Sequence, residues 1–297
     1  MATLVVGANG LCGSRIVARL AESGEQVIAA ARGPSRFQLP EAVEYVEADL
    51  LDPSSLAALI LERRPASVVN GAAMTDVDAC ERAPVEAYTA NAEAVAAVAR
   101  ACREIAARLT HLSTDYVFDG EKGGYREDDV PNPRGVYART KRAGEEAALL
   151  LAPDCAVCRV AVVFSGRKGA KRTFAVAVVE SFRAKKPVKA FVDQIVSPTL
   201  ADNAAEMVIG VHRSGAQGIY HCTGATRVTR VEFCRALARK LEADERLIEP
   251  VKLSEVKLPA PRPLLCGLDV SKVRKLLGED VPLPLDAALD RFLDELH

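Results

Sequence analysis

The stretch "VVGANGLCG", Val5 to Gly13, decides the fold. It sets Gly7, Gly10 and Gly13 at G-x-x-G-x-x-G spacing between an apolar run and a segment of helical periodicity, in which Leu11, Ile16, Val17 and Leu20 share one face. A glycine turn between a first strand and a first helix lets backbone approach a pyrophosphate at the helix N-terminus. Gly7, Asn9, Gly10, Leu11, Cys12 and Gly13 are therefore candidate cofactor contacts. The next strand-like run, "QVIAAAR", leads into "AAARGPSRF". A carboxylate at that place would bind a ribose 2′-hydroxyl and repel a 2′-phosphate. Arg32 and Arg36 stand there instead, and guanidinium groups bond phosphate with charge assistance. The expected cofactor is NADPH.

Outward from this loop, short apolar runs alternate with helical patterns. "VEYVEADL", "ASVVNGAA", "LTHLSTDYVF" and "AVCRVAVVF" read as strands; "PSSLAALILERR", "VEAYTANAEAVAAVARACREIAA" and "RTKRAGEEAALLL" read as helices between them. Strands that are apolar throughout and alternate with helices imply a parallel sheet covered on both faces. After Ser165 the rhythm loosens. "GRKGAKR" reads as a polar loop, "TFAVAVVESFRAKK", "VEFCRALARKL" and "PLDAALDRFLDEL" as amphipathic helices, and "GIYHCTG" as a short strand. The expected layout is α/β: a Rossmann-type, doubly wound parallel sheet over residues 1–165, with a smaller interleaved substrate lobe over 166–297, some of whose segments return to the main sheet.

Composition sets the outer limits. The chain has 297 residues, 49% of them hydrophobic and 27% charged, and a formal net charge of −1. Nothing in that balance suggests a nucleic-acid or membrane-surface partner. No apolar run is long enough for a bilayer, and "MATLVVGANG" has neither a basic n-region nor a cleavage site, so the expected location is cytoplasmic. The eight cysteines are scattered; only Cys155 and Cys158 lie close, and no second pair or histidine cluster completes a metal site. No metal is expected, and the pair reads as buried free thiols.

"VYARTKRAGEE", Val136 to Glu146, places Tyr137 and Lys141 one helical turn apart on one face. With the glycine loop, this pair resembles the extended short-chain dehydrogenase/reductase superfamily. A narrower set, "STDYVFDG", "VYARTKRAGE", "VDQIVSPT", "ADLLDP" and "VVNGAAMTDVDACE", resembles the dTDP-4-dehydrorhamnose reductase family and runs on to "LDVSKVRKLLG". The resemblance implies that Tyr137 donates a proton to a carbonyl under reduction. Lys141 is then expected to lower the phenol pKa and to bind the nicotinamide ribose, and Thr114, with Ser113 as its stand-in, to bond the substrate oxygen. It further implies cofactor contacts at Asp49, Leu50, Ala72, Ala73, Met74 and Asn91, and substrate contacts at Asp115, Tyr116, Val162 and Gln194.

Some positions depart from the family pattern. Val162 stands where the family often has tryptophan, Met74 where it tends to a polar or aromatic ring, and Leu265 and Cys266 where it has an amide and a hydroxyl. The expected substrate is a nucleotide-linked 4-keto-6-deoxy sugar, with a homodimer as a possible assembly. Two alternatives stay open: reduction of a different, less polar carbonyl compound, or a cofactor-binding regulatory subunit resembling the β subunit of methionine adenosyltransferase.

Overall fold

The computed structural model describes residues 2–296. Its first half alternates strand and helix: β1 (Thr3–Val6), α1 (Leu11–Glu22), β2 (Val27–Ala31), β3 (Val43–Glu47), α2 (Pro53–Arg63), β4 (Ser67–Asn70), α3 (Val77–Arg82), α4 (Pro84–Tyr88), α5 (Ala94–Glu104), β5 (Arg108–Thr114), α6 (Gly135–Leu151) and β6 (Ala156–Val160). The second half runs β7 (Val163–Phe164), α7 (Phe174–Arg183), β8 (Val188–Phe191), β9 (Ile195–Val196), β10 (Thr199–Leu200), α8 (Ala201–Arg213), β11 (Gly218–His221), β12 (Val228–Thr229), α9 (Arg230–Lys240), β13 (Ile248–Val251), α10 (Ser271–Leu277) and α11 (Leu285–Asp294).

Seven strands form one sheet in the order β11-β6-β5-β4-β1-β2-β3, every neighbouring pair parallel. β1 and β4 lie side by side, yet α1, β2, β3 and α2 separate them in the chain. The strand order therefore reverses direction at this point, and a crevice opens beyond their carboxyl ends. The inner strands β1, β2 and β4 are mostly apolar and buried at every position, with the Thr3 and Ser67 hydroxyls bonded to each other across the β1–β4 pair. One face is covered by α1, α8 and α10, through Ile16, Leu20, Met207, Val211 and Val273. The other is covered by α2, α5 and α6, through Leu56, Ile60, Val95, Val98 and Ala148. A third core holds the lobe together: Phe164 packs edge-on against Phe233 of α9 and Phe292 of α11, with ring centroids 5.6 and 5.3 Å apart.

Four local features differ from the sequence reading. The strand "AVCRVAVVF" is two strands: β6 stays in the main sheet, while β7 pairs with β10 in the lobe. The break falls at Val162, whose φ of +42° lies in the left-handed region, where a β-branched residue is strained. The long alanine-rich helix is interrupted at Thr89–Glu93 by one turn of π-helix. β5 ends at Thr114, and Asp115–Val117 forms a 3₁₀ turn rather than more strand. Finally α8, which the sequence reading did not single out, is buried along most of its length because it packs beside α1 on one face of the sheet.

Candidate active site

The glycine loop is shaped by close backbone packing. Gly7 has φ +88°, and a Cβ there would lie 2.6 Å from the amide nitrogen of Ala72; a Cβ on Gly13 would lie 2.1 Å from the carbonyl oxygen of Gly7. The three glycines thus let the β1 turn, the start of α1 and the end of β4 meet. No side chain caps α1 at Gly10, and its first turn carries no acid, which leaves its N–H groups and dipole open to an anion. These features fit a dinucleotide pyrophosphate.

Asn9, expected as a cofactor contact, is bonded to the neighbouring loop. Its amide donates to the carbonyls of Arg32 (3.3 Å) and Pro34 (3.0 Å) and to the Tyr45 hydroxyl (3.0 Å), and its oxygen accepts from the Arg36 amide (3.0 Å). Asn9 therefore ties the glycine loop to the arginine-bearing loop after β2. Arg32 and Arg36 are both exposed there. A cavity of about 360 Å³ lies beside the first turns of α1, lined by Leu11, Arg15, Arg36, Arg167 and Lys168 among others. Arg15 is already paired with Asp202 of α8, which leaves Arg36, Arg167 and Lys168 as the cations this cavity offers an anion.

The adenine-side residues follow β3. The Asp49 carboxylate accepts from the Leu51 amide (3.0 Å), and Leu50 packs against the second core. After β4, the Ala72 amide donates to Asn70 (3.2 Å) and Ala73 follows it toward Met74. The buried Asn91 grips both backbone polar groups of Met74, at 2.8 and 3.1 Å, and donates to the Thr140 hydroxyl at 3.1 Å. Asn91 sits in the π-turn, and inserting such a turn changes which face a residue presents. Its role here is to fix the loop over the crevice against α6. Cys12 lies in the same region, but burial pushes its thiol up to about 12, so it packs as an apolar side chain.

Tyr137 and Lys141 are buried on α6, beside the end of β5. Thr114 ends β5 near the Tyr137 side chain, its hydroxyl donating to Asp115 Oδ1 (3.1 Å), and Tyr116 packs edge-on against the Tyr137 ring at 5.7 Å. Ser113 faces Glu145 instead, so Thr114 is the residue placed beside the tyrosine. The Lys141 ammonium donates to the Leu112 carbonyl (2.7 Å) and lies 3.4 Å from His111 Nε2. Burial lowers its pKa to about 8 against the opposing charge of Glu145.

One expectation needs correction: the phenol of Tyr137 is not brought down by Lys141. Burial pushes it well above its ordinary value; Thr114 opposes the rise, and Asp115, Tyr116 and Cys80 add to it. The physical reason is that the ammonium is engaged by the Leu112 carbonyl while the phenol sits in a dry pocket beside acidic groups. The phenol is thus held in the proton-carrying form.

The predicted substrate residues converge on the same place from separate elements. Asp115 and Tyr116 open the 3₁₀ turn and are buried or nearly so. Gln194, from the segment between β8 and β9, donates to the Pro263 carbonyl (3.2 Å) and accepts from Arg230 Nε (3.2 Å). Val162 lies at the break between β6 and β7. Cys266 is buried beneath the turn, and its thiol donates to the Asp115 carbonyl at 3.8 Å; Leu265 is tied by its amide to the Gly120 carbonyl.

Sequence reasoning missed Arg230, Glu145 and Arg159. Arg230 opens α9 against the face of Phe174 and has no motif to announce it. Glu145 carried a readable signal: it lies one turn beyond Lys141 on the same helix face. It accepts two bonds at 2.8 Å from the fully buried Arg159 of β6, whose guanidinium also lies 4.9 Å from the Phe118 ring centroid.

A parallel sheet with a glycine turn at its switch point, and a tyrosine–lysine pair beside it, defines an oxidoreductase of the short-chain dehydrogenase type. Comparison with known proteins narrows the class. The family model described as the RmlD substrate binding domain matches residues 1–297. The chain is 34% identical to a "Probable low-salt glycan biosynthesis reductase" of Haloferax volcanii, over 98% of this chain and 99% of that one. It is also 34% identical to a dTDP-4-dehydrorhamnose reductase of Mycobacterium tuberculosis, over 87% of this chain and 82% of the relative. Among solved structures, a hypothetical dTDP-4-dehydrorhamnose reductase from Sulfolobus tokodaii superposes with a TM-score of 0.84 at 35% identity, covering 96% of this chain and 98% of that one. The chain belongs to the dTDP-4-dehydrorhamnose reductase family.

Proposed function

We propose that the protein is an NADPH-dependent reductase of a nucleotide-linked 4-keto-6-deoxy sugar, with dTDP-4-dehydrorhamnose as the first substrate to try. The observation that carries this reading is the convergence of Thr114, Tyr137 and Lys141 at the carboxyl edge of β5, between the glycine loop and the polar cleft of Gln194 and Arg230. Support for the phosphorylated cofactor comes from Arg32 and Arg36 at the end of β2, where no carboxylate stands. The cofactor supplies the hydride.

The protein's own residues do the rest. The uncapped start of α1 receives the pyrophosphate. Lys141 holds the ribose hydroxyls, and Tyr137 presents its hydroxyl proton to the keto oxygen with Thr114 beside it. Burial of this group keeps bulk water from competing for the oxygen. Arg230 is a half-buried guanidinium whose partners, the Gln194 amide and the face of Phe174, carry no charge. A substrate diphosphate would supply the missing anion.

The test is an NADPH-oxidation assay against a panel of dTDP- and UDP-linked 4-keto sugars. Oxidation that depends on one of these sugars is expected. Binding of NADPH with no turnover on any of them would favour the regulatory-subunit reading and overturn this one.

A further inference from the structure

We propose that His111 is a positioning residue for the reaction: its neutral imidazole, carried by β5 behind the site, accepts a hydrogen bond from Lys141 and fixes where the lysine's charge points. The inference rests on the reading of Lys141 as the group that holds the nicotinamide ribose. His111 and Asn70 are aligned partners on β5 and β4. They lie on the face of the sheet that α6 covers, since Leu109 and Val68, two residues before each, belong to the core beneath α2, α5 and α6. Both are fully buried.

Lys141 reaches this pair from α6. An ammonium has three N–H donors and no acceptor. One donates to the Leu112 carbonyl at 2.7 Å, and His111 Nε2 stands 3.4 Å from the nitrogen to take a second. Consecutive residues of one strand thus supply both acceptors, and the remaining donor is left for a ribose hydroxyl. A charge on a flexible four-carbon stem needs such a fixed point. Glu145, one turn further along α6, attracts the same ammonium while it is itself bonded to Arg159 and Arg142.

The hydrogen-bond inventory of the ring sets its state. Nε2 accepts only when it carries no proton, so the one proton of the neutral ring sits on Nδ1. Nδ1 is buried with no partner, as is Nδ2 of Asn70, whose own oxygen is committed to the Ala72 amide at 3.2 Å. An imidazolium would have no acceptor at Nδ1 and a cation facing Nε2. Burial, and after it the charge of Lys141, hold the ring's pKa well below its ordinary value. The other titratable groups about the ammonium are Glu145 with its two arginines and Tyr137, one turn back along α6. The π-turn and α5 bring Asn91 and Val95 against α6, and neither carries charge. The ring therefore stays an acceptor throughout the range in which Lys141 titrates.

Two variants and one spectrum test this. In His111→Leu the ammonium loses an acceptor and keeps its burial, so its charge is lost at lower pH. The midpoint above which the NADPH dissociation constant rises should then move down from about 8 by roughly one unit. His111→Gln offers a side-chain oxygen that can accept, and should return the midpoint toward the wild-type value. A role confined to packing predicts lower thermal stability in both variants with the midpoint unmoved. Nitrogen NMR of the wild-type ring needs no variant that must fold. Between about pH 6 and about pH 9, Nδ1 should be protonated and Nε2 not, with Nε2 shifting as Lys141 titrates. A protonated Nε2, or a midpoint that His111→Leu leaves in place, overturns the proposal. A wild type whose NADPH affinity ignores pH near 8, and which Lys141→Met leaves intact, removes the ribose reading of Lys141 and the positioning role with it; a wild-type midpoint that persists unmoved in His111→Leu removes the positioning role alone.

Discussion

Burial moves Tyr137 and Lys141 in opposite directions, each toward its neutral form. The phenol is driven up and stays protonated, while the ammonium is driven down to about 8 and becomes the group that titrates in the working range. Tyr137→Phe keeps the ring packed against Tyr116 and removes only the proton. Turnover is expected to fall roughly 10²–10⁴-fold with NADPH affinity unchanged, as steady-state kinetics and fluorescence titration would show. For Lys141 the sign runs the other way. Its charge is lost as pH rises through about 8, so the NADPH dissociation constant should rise above that pH, and Lys141→Met should bind weakly with no such dependence. Its folded pKa lies below the unfolded value of about 10.4, so its contribution to stability improves with pH between those two values. The spacing of Tyr137 and Lys141 was legible in the sequence because one helical turn is a fixed distance. The direction of the tyrosine shift was not, because burial depends on Cys80, Tyr116 and Asp115, which come from elsewhere in the chain.

At the scale of elements, α6 is held to its neighbours by contacts that leave little room. A Cβ on Gly144 would sit 2.2 Å from the Asn91 carbonyl oxygen of the π-turn. Glu145 joins α6 to β6 by a two-bond pair with Arg159, both side chains fully buried. Burial pushes the Glu145 carboxyl up, but its bonds to Arg159 outweigh that and hold it below its usual range. Removing one partner strands the other charge. Glu145→Gln is therefore expected to destabilise the protein by about 3–5 kcal/mol in a denaturant titration, and a loss within about 0.5 kcal/mol would show the pair to be solvated. The main sheet could be read from sequence because its inner strands are predominantly apolar, with no polar-facing alternation, and are separated by helical patterns. The lobe could not. β7 to β10 are two to four residues long and carry no periodicity, and the β6–β7 break is a change of φ at Val162 within an unbroken apolar run.

On the proposed function, the sheet and its helices would hold the cofactor and Tyr137, while the second half of the chain would bring Gln194 and Arg230 to the substrate. Arg230 is where this division can be measured. It belongs to α9 in the lobe, yet its charge acts on Asp115 and Tyr116 at the end of β5. Burial lowers its own pKa, a sign that the guanidinium is held out of water. A guanidinium bonded to an amide and set against an aromatic ring, with the Asp115 carboxyl near it but raised by burial, is poorly compensated until an anion arrives. A charge-assisted bond of this kind is worth roughly 1.5–3 kcal/mol, so Arg230→Met should raise KM for a nucleotide sugar about ten- to hundredfold. The NADPH dissociation constant should stay unchanged, because the candidate cofactor residues belong to the loops after β1 to β4, the π-turn and α6 rather than to α9. Arg230→Lys should recover part of the loss, through charge without the planar fork. The same series run with a keto sugar lacking the nucleotide separates the two roles this arginine could play. If KM for that truncated sugar rises as much as for the full substrate, Arg230 is acting on the sugar or through Asp115. If only the nucleotide-linked substrate is affected, the lobe recognises the diphosphate, and the departures at Val162, Leu265 and Cys266 bear on the sugar alone.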